Sequence, residues 1–355
     1  MEPADQLHAS SQAPTDLNLH LVCGAGGSRA ILGSAGAILA CHIAGINKFR
    51  TIGGASGGSI PTLLLAGGLH PTKIARLLIE INFSKLLTRH AMIFRVFLAY
   101  ILKDNYYLVI RPRKGLLSAE KVGDFLQGIV PCWPENYWTV ATAGDSQWLF
   151  TAQGVYQYNL QGVRRRICEC PAPVGVAIQA TSAIPGVFDA IQFHGRYLID
   201  GALTVDGRTP IGAVQRHFGA KPGQIISVDV GEDPVAYSWP MRLLTRLIWK
   251  YVIGRHCPNE GKLPIGHEGT ILMQPEDMWI QALEFAAVGD LKWQALMRGF
   301  ICGVEALVKA GYLTGTRLNH ALAICRSFEH IQSTALLRGH IAERTEKLLT
   351  RHGLY

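Results

Sequence analysis

Gly53-Gly54-Ala55-Ser56-Gly57-Gly58 sets a serine at the centre of a G-x-S-x-G element closed by Gly54 and Gly58. The preceding Phe49-Arg50-Thr51-Ile52 reads as a short strand, and Ser59 to Ala66 reads as a helix. A serine on so sharp a strand-to-helix turn sits in a strained backbone, which closes only between small neighbours. The following helix aims its N-terminal N–H groups at negative charge developing beside the serine oxygen. Pro61 falls in the first helical turn, where a missing N–H costs little, and Gly67-Gly68 ends the helix. Such a turn serves a nucleophile or plain packing, and the rest of the chain has to separate the two.

Upstream, Gly24-Ala25-Gly26-Gly27-Ser28-Arg29-Ala30 lies between a first strand, Leu17 to Cys23, and a small-residue helix, Ile31 to Ile43. Small residues there let several backbone N–H groups face one concavity that suits an anion. The dinucleotide fingerprint fails, because Arg29 occupies the third glycine position and Thr51-Ile52-Gly53 lacks an acidic strand end. A phosphate-binding loop fails as well, since Gly53 to Ser59 contains no lysine. An oxyanion hole serving Ser56 and a tight packing turn are the readings left.

A nucleophilic serine needs a proton acceptor. None of the 13 histidines stands at a strand end: His20 alternates within a strand, and His42, His194 and His217 occupy ordinary helix or loop positions. Tyr197-Leu198-Ile199-Asp200-Gly201-Ala202 instead puts a carboxylate at the end of an apolar strand, followed at once by glycine. Alone, Asp-Gly is equally a turn. It follows Ala180-Thr181-Ser182-Ala183-Ile184-Pro185-Gly186-Val187-Phe188.

In this order and spacing the elements resemble the patatin-like phospholipase family, in its bacterial form. Gly24 to Ala30 is similar to the family's G-G-G-x-[RK]-G oxyanion loop, Gly54 to Gly58 to its G-x-S-x-G, and Asp200-Gly201-Ala202 to its D-G-[GA]. The stretch 180–188 and the run Ile225 to Gly231 are also similar. Ala25 and Ala30 depart from the family's glycines, and Thr204 to Thr209 is longer than its usual Asn-rich turn. The resemblance implies a Ser–Asp dyad in which Asp200 takes the Ser56 proton, an acyl-enzyme forms, and water releases a fatty acid. It further implies an oxyanion hole from the N–H groups of Gly26, Gly27 and Ser28, with Gly57 as a further donor. Arg29 anchors the loop or assists with a substrate phosphate, and neither metal nor cofactor is required. The implied substrate is a membrane lipid or lysolipid. A soluble esterase or thioesterase acting on short acyl groups is the second reading, and a catalytically silent scaffold the third.

The implied fold is a three-layer α/β/α arrangement. Short apolar strands at Thr139 to Ala143, Trp148 to Thr151, Arg196 to Ile199, Ile225 to Val230 and Ile271 to Met273, separated by helical stretches, fit a largely parallel central sheet buried on both faces. Residues 1–16 read as a disordered tail, 17–312 as the hydrolase domain with 72–130 as its cap, and 313–355 as a helical extension. After Pro275 the chain reads as helical throughout.

With 48% apolar residues against 17% charged, 355 residues build a large core, yet no apolar run reaches the 18 needed to cross a bilayer. The longest, Ala91 to Leu102, contains Arg95. Eight scattered cysteines without a C-x-x-C pair read as buried reduced thiols, and the polar N-terminus does not read as a signal peptide. Both point to the cytoplasm. The net charge of +8 without a nucleic-acid-binding motif suits an anionic membrane face. Arg242, Arg246 and Lys250 form a cationic stripe within 239–251, and 85–103 has a similar makeup. Either segment is an interfacial anchor or a helix packed on the sheet with a solvated basic edge.

Overall fold

Cys23 and Gly54 end two neighbouring parallel strands, and the glycine-rich loop and the Ser56 turn follow from them. The computed structural model describes residues 18–89, 115, 117–231, 263–338 and 340–355. The tail at 1–16, the stripe at 239–251 and most of the segment 85–103 lie outside the described residues.

The central sheet has eight strands: β1 His20–Cys23, β2 Thr51–Gly54, β5 Tyr137–Ala143, β6 Ser146–Thr151, β7 Gly154–Tyr158, β8 Arg164–Cys168, β11 Ile225–Val228 and β12 Ile271–Met273. Two small pairs, β3 Thr88–Arg89 with β4 Leu117–Ser118 and β9 Ile191–Phe193 with β10 Arg196–Leu198, stand apart from it. The order across the sheet is β12-β11-β1-β2-β5-β6-β7-β8. The first five of these run parallel, through β5, and β5 to β8 continue as an antiparallel meander. The expected α/β architecture with a mostly parallel central sheet is what the chain adopts, but Arg196 to Ile199, expected in that sheet, instead forms the β9–β10 hairpin and touches β5 only through the antiparallel Ile199–Thr142 bridge. Residues 152–170 carried no strand expectation. Polar Gln157 and the run Arg164-Arg165-Arg166 interrupt the apolar pattern there, because this end of the sheet is an edge.

Helices α1 Gly27–Ile43, α2 Ser59–Ala66, α3 Pro71–Glu80, α4 Phe83–Leu86, α5 Glu120–Ile129, α6 Val174–Thr181, α7 Ile211–Phe218, α8 Gly289–Lys309, α9 Gly315–Arg338 and α10 Ile341–Arg351 complete the described elements. Nearly every residue of α1 is buried, which its small side chains make possible. A Cβ added to Gly36 would lie 1.9 Å from the Leu296 carbonyl oxygen, and one added to Gly299 would lie 2.0 Å from that of Gly33. α1 and α8 therefore cross with backbones in contact. Leu313, just before the C-terminal helices, and Ile324, Phe328, Leu348 and Leu349 within them join the same core, so 313–355 packs as part of the body. The expectation of continuous helix after Pro275 fails at 276–288, which is irregular apart from turns. Cys23, Cys41 and Cys325 are buried as expected, whereas Cys132 and Cys170 are exposed.

The helix crossing gives a sign-reversed pair of substitutions. Gly299→Val should lower unfolding free energy by about 2–3 kcal/mol in urea titration, because the side chain must force two backbones apart. Gly128→Ala, in α5 with open space around it, should raise it by about 0.5–1 kcal/mol.

Candidate active site

Ser56 opens a single 3-10 turn, Ser56–Gly58, directly after β2 and before α2. Its φ of 51° lies in the left-handed region that a serine enters at a cost of about 1–3 kcal/mol. The surroundings over-determine that conformation. The Ser56 N–H donates to Thr181 Oγ1 at 2.9 Å, and the Ser59 hydroxyl donates to the Ser56 carbonyl. A Cβ on Gly57 would stand 2.3 Å from the Gly27 carbonyl oxygen, and one on Gly58 equally close to that of Gly24. Glycine is required at both positions because the turn is pressed against the loop that leads into α1.

Asp200 arrives from another direction. Ile199 exchanges two backbone hydrogen bonds with Thr142 of β5, at 2.8 and 2.9 Å. The Thr142 hydroxyl donates to the Asp200 carbonyl at 2.9 Å, and the Asp200 N–H donates to Ala183 at 2.9 Å. These bonds hold the carboxylate where Ser56 Oγ donates to Oδ2 at 2.7 Å, while the Ala202 N–H donates to Oδ1 at 2.8 Å. Ser56 and Asp200 are each 3% exposed. Burial pushes the Asp200 carboxyl up to about 7, against the opposing pull of the Ala202 N–H and the Ser56 hydroxyl. A carboxyl that titrates near neutrality is a far better proton acceptor than one of ordinary acidity. His20, by contrast, is buried on β1 with Nδ1 2.8 Å from Thr51 Oγ1, and burial pushes it down to about 4.

The glycine-rich loop follows β1. Gly24 donates to Val228 and Ala25 to the Arg208 carbonyl, both at 2.8 Å. Gly26 and Gly27 then take φ values of 150° and 53°, and α1 starts at Gly27. Among the described residues no acceptor is found for the N–H groups of Gly26, Gly27 or Gly57. They stand beside the Ser56 turn, at the positive end of a 17-residue helix. Ser28 is a correction to the expected set. Its N–H is spent on the Ala282 carbonyl at 2.8 Å, and its hydroxyl donates to Glu284 at 3.2 Å. The irregular stretch 276–288 lies against the start of α1 and takes that donor. Arg29 is 4% exposed and donates to the Val230 carbonyl at 3.0 Å, tying the first turn of α1 to the chain beyond β11.

Ser56 and Gly57 face a cavity whose walls are Ile31, Ile60, Phe83, Leu87, Val122, Ile184, Phe188 and Phe285. Phe188 and Phe285 meet edge to face at 5.6 Å. Phe83, Leu87 and Val122 come from the segment 72–130. Gly54, Gly58, Gly201 and Ala202 all fall where the motifs put them: a Cβ on Gly54 would meet the Cys23 carbonyl, and one on Gly201 that of Val140. Sequence reading missed the supporting residues. Thr181 stood inside the quoted 180–188 stretch without a role, and Thr142 gave no signal. Asp229 is fully buried, bound by Arg208 at 2.7 and 2.9 Å, by Thr209 and by Gln274. That cluster braces the Arg208 carbonyl on which Ala25 hangs.

The patatin-like phospholipase family model matches residues 21–211. The chain belongs to that family. The match takes in the glycine-rich loop, the Ser56 turn and Asp200, and membership implies a lipid acyl hydrolase. Among solved structures, the chain is similar to VipD from Legionella pneumophila, with a TM-score of 0.45 and 12% identity over 95% of this chain and 79% of that one. It is also similar to the type III effector protein ExoU, with a TM-score of 0.39 and 10% identity over 96% and 70%. No curated protein matches the sequence. Within the described residues, no helix is long and apolar enough to cross a membrane.

The raised Asp200 carboxyl has a thermodynamic sign. Folding favours its protonated form, so its contribution to stability is full below about 4 and is lost as pH rises through about 7. Asp200→Asn removes that loss. Its melting temperature should exceed that of the parent at pH 8, and the difference should shrink towards zero at pH 4 in parallel thermal scans.

Proposed function

We propose that the chain is a serine esterase that hydrolyses fatty-acyl esters of membrane lipids, of phospholipase A or lysophospholipase type. The observation that carries this reading is the 2.7 Å hydrogen bond to a buried carboxylate from Ser56, which lines an apolar cavity. The acyl chain lies along Ile60, Val122, Ile184 and Phe188, and its ester carbonyl meets Ser56 Oγ. As Oγ attacks, its proton passes to Asp200 Oδ2, and the oxyanion is received by the N–H groups of Gly26, Gly27 and Gly57. Asp200 returns the proton to the departing lysolipid or glycerol oxygen, leaving an acyl ester on Ser56. It then takes a proton from water, whose attack releases the fatty acid and restores the serine. The chemistry requires only these side chains and backbone donors, without a cofactor.

Ser56→Ala and Asp200→Asn should each lower kcat on a long-chain phospholipid by at least about 10⁴-fold with the fold intact, and the double variant should be no worse than either single one. Turnover of the parent should fall as pH drops through about 7, because a protonated Asp200 no longer accepts. Substantial activity in Asp200→Asn would defeat the dyad. Equal turnover of long-chain micellar and short-chain soluble esters would favour a soluble esterase instead. Replacing Gly27 by valine, which brings a Cβ within 1.9 Å of the Ala282 carbonyl oxygen, should lower kcat far more than it raises KM if the loop serves the transition state.

A further inference from the structure

We infer that the turns at the carboxyl end of the antiparallel half-sheet form a docking rim for an anionic lipid surface. The inference rests on the lipid substrate proposed above and adds the surface that meets it. Leu160 is 52% exposed and Val163 is 63% exposed, both in the β7–β8 turn. That turn is built to present them. The Asn159 side chain accepts the Val163 N–H at 2.8 Å, its carbonyl accepts the Gly162 N–H at 3.0 Å, and Gly162 supplies the left-handed φ of 78°. Arg164 and Arg165 follow directly and are exposed, with Arg164 held over the Tyr156 ring at 5.5 Å. Arg166 points its guanidinium back to the Gln153 carbonyl and takes no part.

Strand direction puts this turn on the catalytic side. β7 runs parallel to β5, since both are antiparallel to β6, so Tyr158 and the residues after it lie at the end where β2 delivers Ser56. β7 is three strands from β2, roughly 14 Å at ordinary strand spacing. Arg196 joins the rim from a second hairpin. The Ile199–Thr142 bridge is antiparallel, so Arg196, three residues earlier, lies further towards the carboxyl end of β5, and it is exposed. Across the turns at 144–145, 159–163 and 194–195 and the residues following them, Arg164, Arg165 and Arg196 face one exposed acid, Asp145.

An edge strand guarded against pairing needs one or two charges along its length. It does not need aliphatic side chains at the tip. Aliphatic residues that enter the acyl boundary, flanked by arginines at headgroup level, are the composition of an interfacial anchor. Docked this way, the end of the sheet that carries Ser56 is turned towards the surface from which an acyl chain must be drawn.

The test is co-sedimentation of the full chain with phosphatidylcholine vesicles, with and without phosphatidylglycerol, at low and high salt. The parent should prefer anionic vesicles and lose them with salt. Arg164→Glu/Arg165→Glu/Arg196→Glu should weaken binding by about a hundredfold, and Leu160→Ser/Val163→Ser by about tenfold. Glutamine replacements of the same arginines give the decisive comparison if the glutamates disturb folding. Soluble short-chain ester turnover and fluorophosphonate labelling of Ser56 should be unchanged in all of them. A parent indifferent to phosphatidylglycerol, variants that bind as the parent does, or a rim that retains a polyanion such as heparin but no vesicle would each overturn the inference. Failure of the parent to hydrolyse either the vesicle lipid or the soluble ester would defeat the proposed activity and leave vesicle docking standing.

Discussion

A hydroxyl and a carboxylate 2.7 Å apart, both removed from water, set the terms for the surrounding structure. Burying a carboxylate is costly unless it is hydrogen-bonded, and Asp200 is bonded on both oxygens. The same burial that costs stability raises the carboxyl to about 7, the range that suits the proton acceptance proposed for it. The site therefore stores some of its capability as destabilisation, and the surrounding fold has to hold it in place. Thr142 and Thr181 do this from β5 and from the end of α6, one fixing the carboxylate backbone and the other the serine backbone.

The second constraint is backbone proximity. β1 and β2 are adjacent and parallel, so the loops leaving them emerge side by side, and glycines let those loops touch. The contact of Gly57 with Gly27 brings the first turn of α1 against the nucleophile. α1 in turn is fixed by its glycine crossing with α8, a helix beyond the residues matched by the family model. Placement of the N–H groups proposed as oxyanion donors thus depends on a part of the chain some 260 residues away in sequence.

Much of this was legible in the sequence because it is written in short-range rules. A glycine-flanked serine between strand and helix has few backbone solutions and landed as expected, whereas the aspartate followed by glycine follows a strand of the separate β9–β10 hairpin and not one of the central sheet. The antiparallel strands β7 and β8 were not legible, since an edge strand that carries Arg164 to Arg166 lacks the apolar alternation of a buried one. Ser28 was misjudged for a different reason. Only tertiary packing could reveal that Ala282, on a stretch read as helix, would take its N–H. Thr142 and the Asp229 cluster act through hydrogen bonds that span from 20 to 58 residues and leave no local pattern.

The central claim is that Ser56 becomes acylated with Asp200 as its proton acceptor. The most direct measurement is acid-quenched mass spectrometry during turnover of a slowly deacylating long-chain ester, followed by peptide mapping. The account predicts one acyl group per chain, located on Ser56, whose rate of appearance falls as pH drops through about 7. An adduct on another residue, or hydrolysis at full rate with no acyl group on Ser56 at any time, would contradict it.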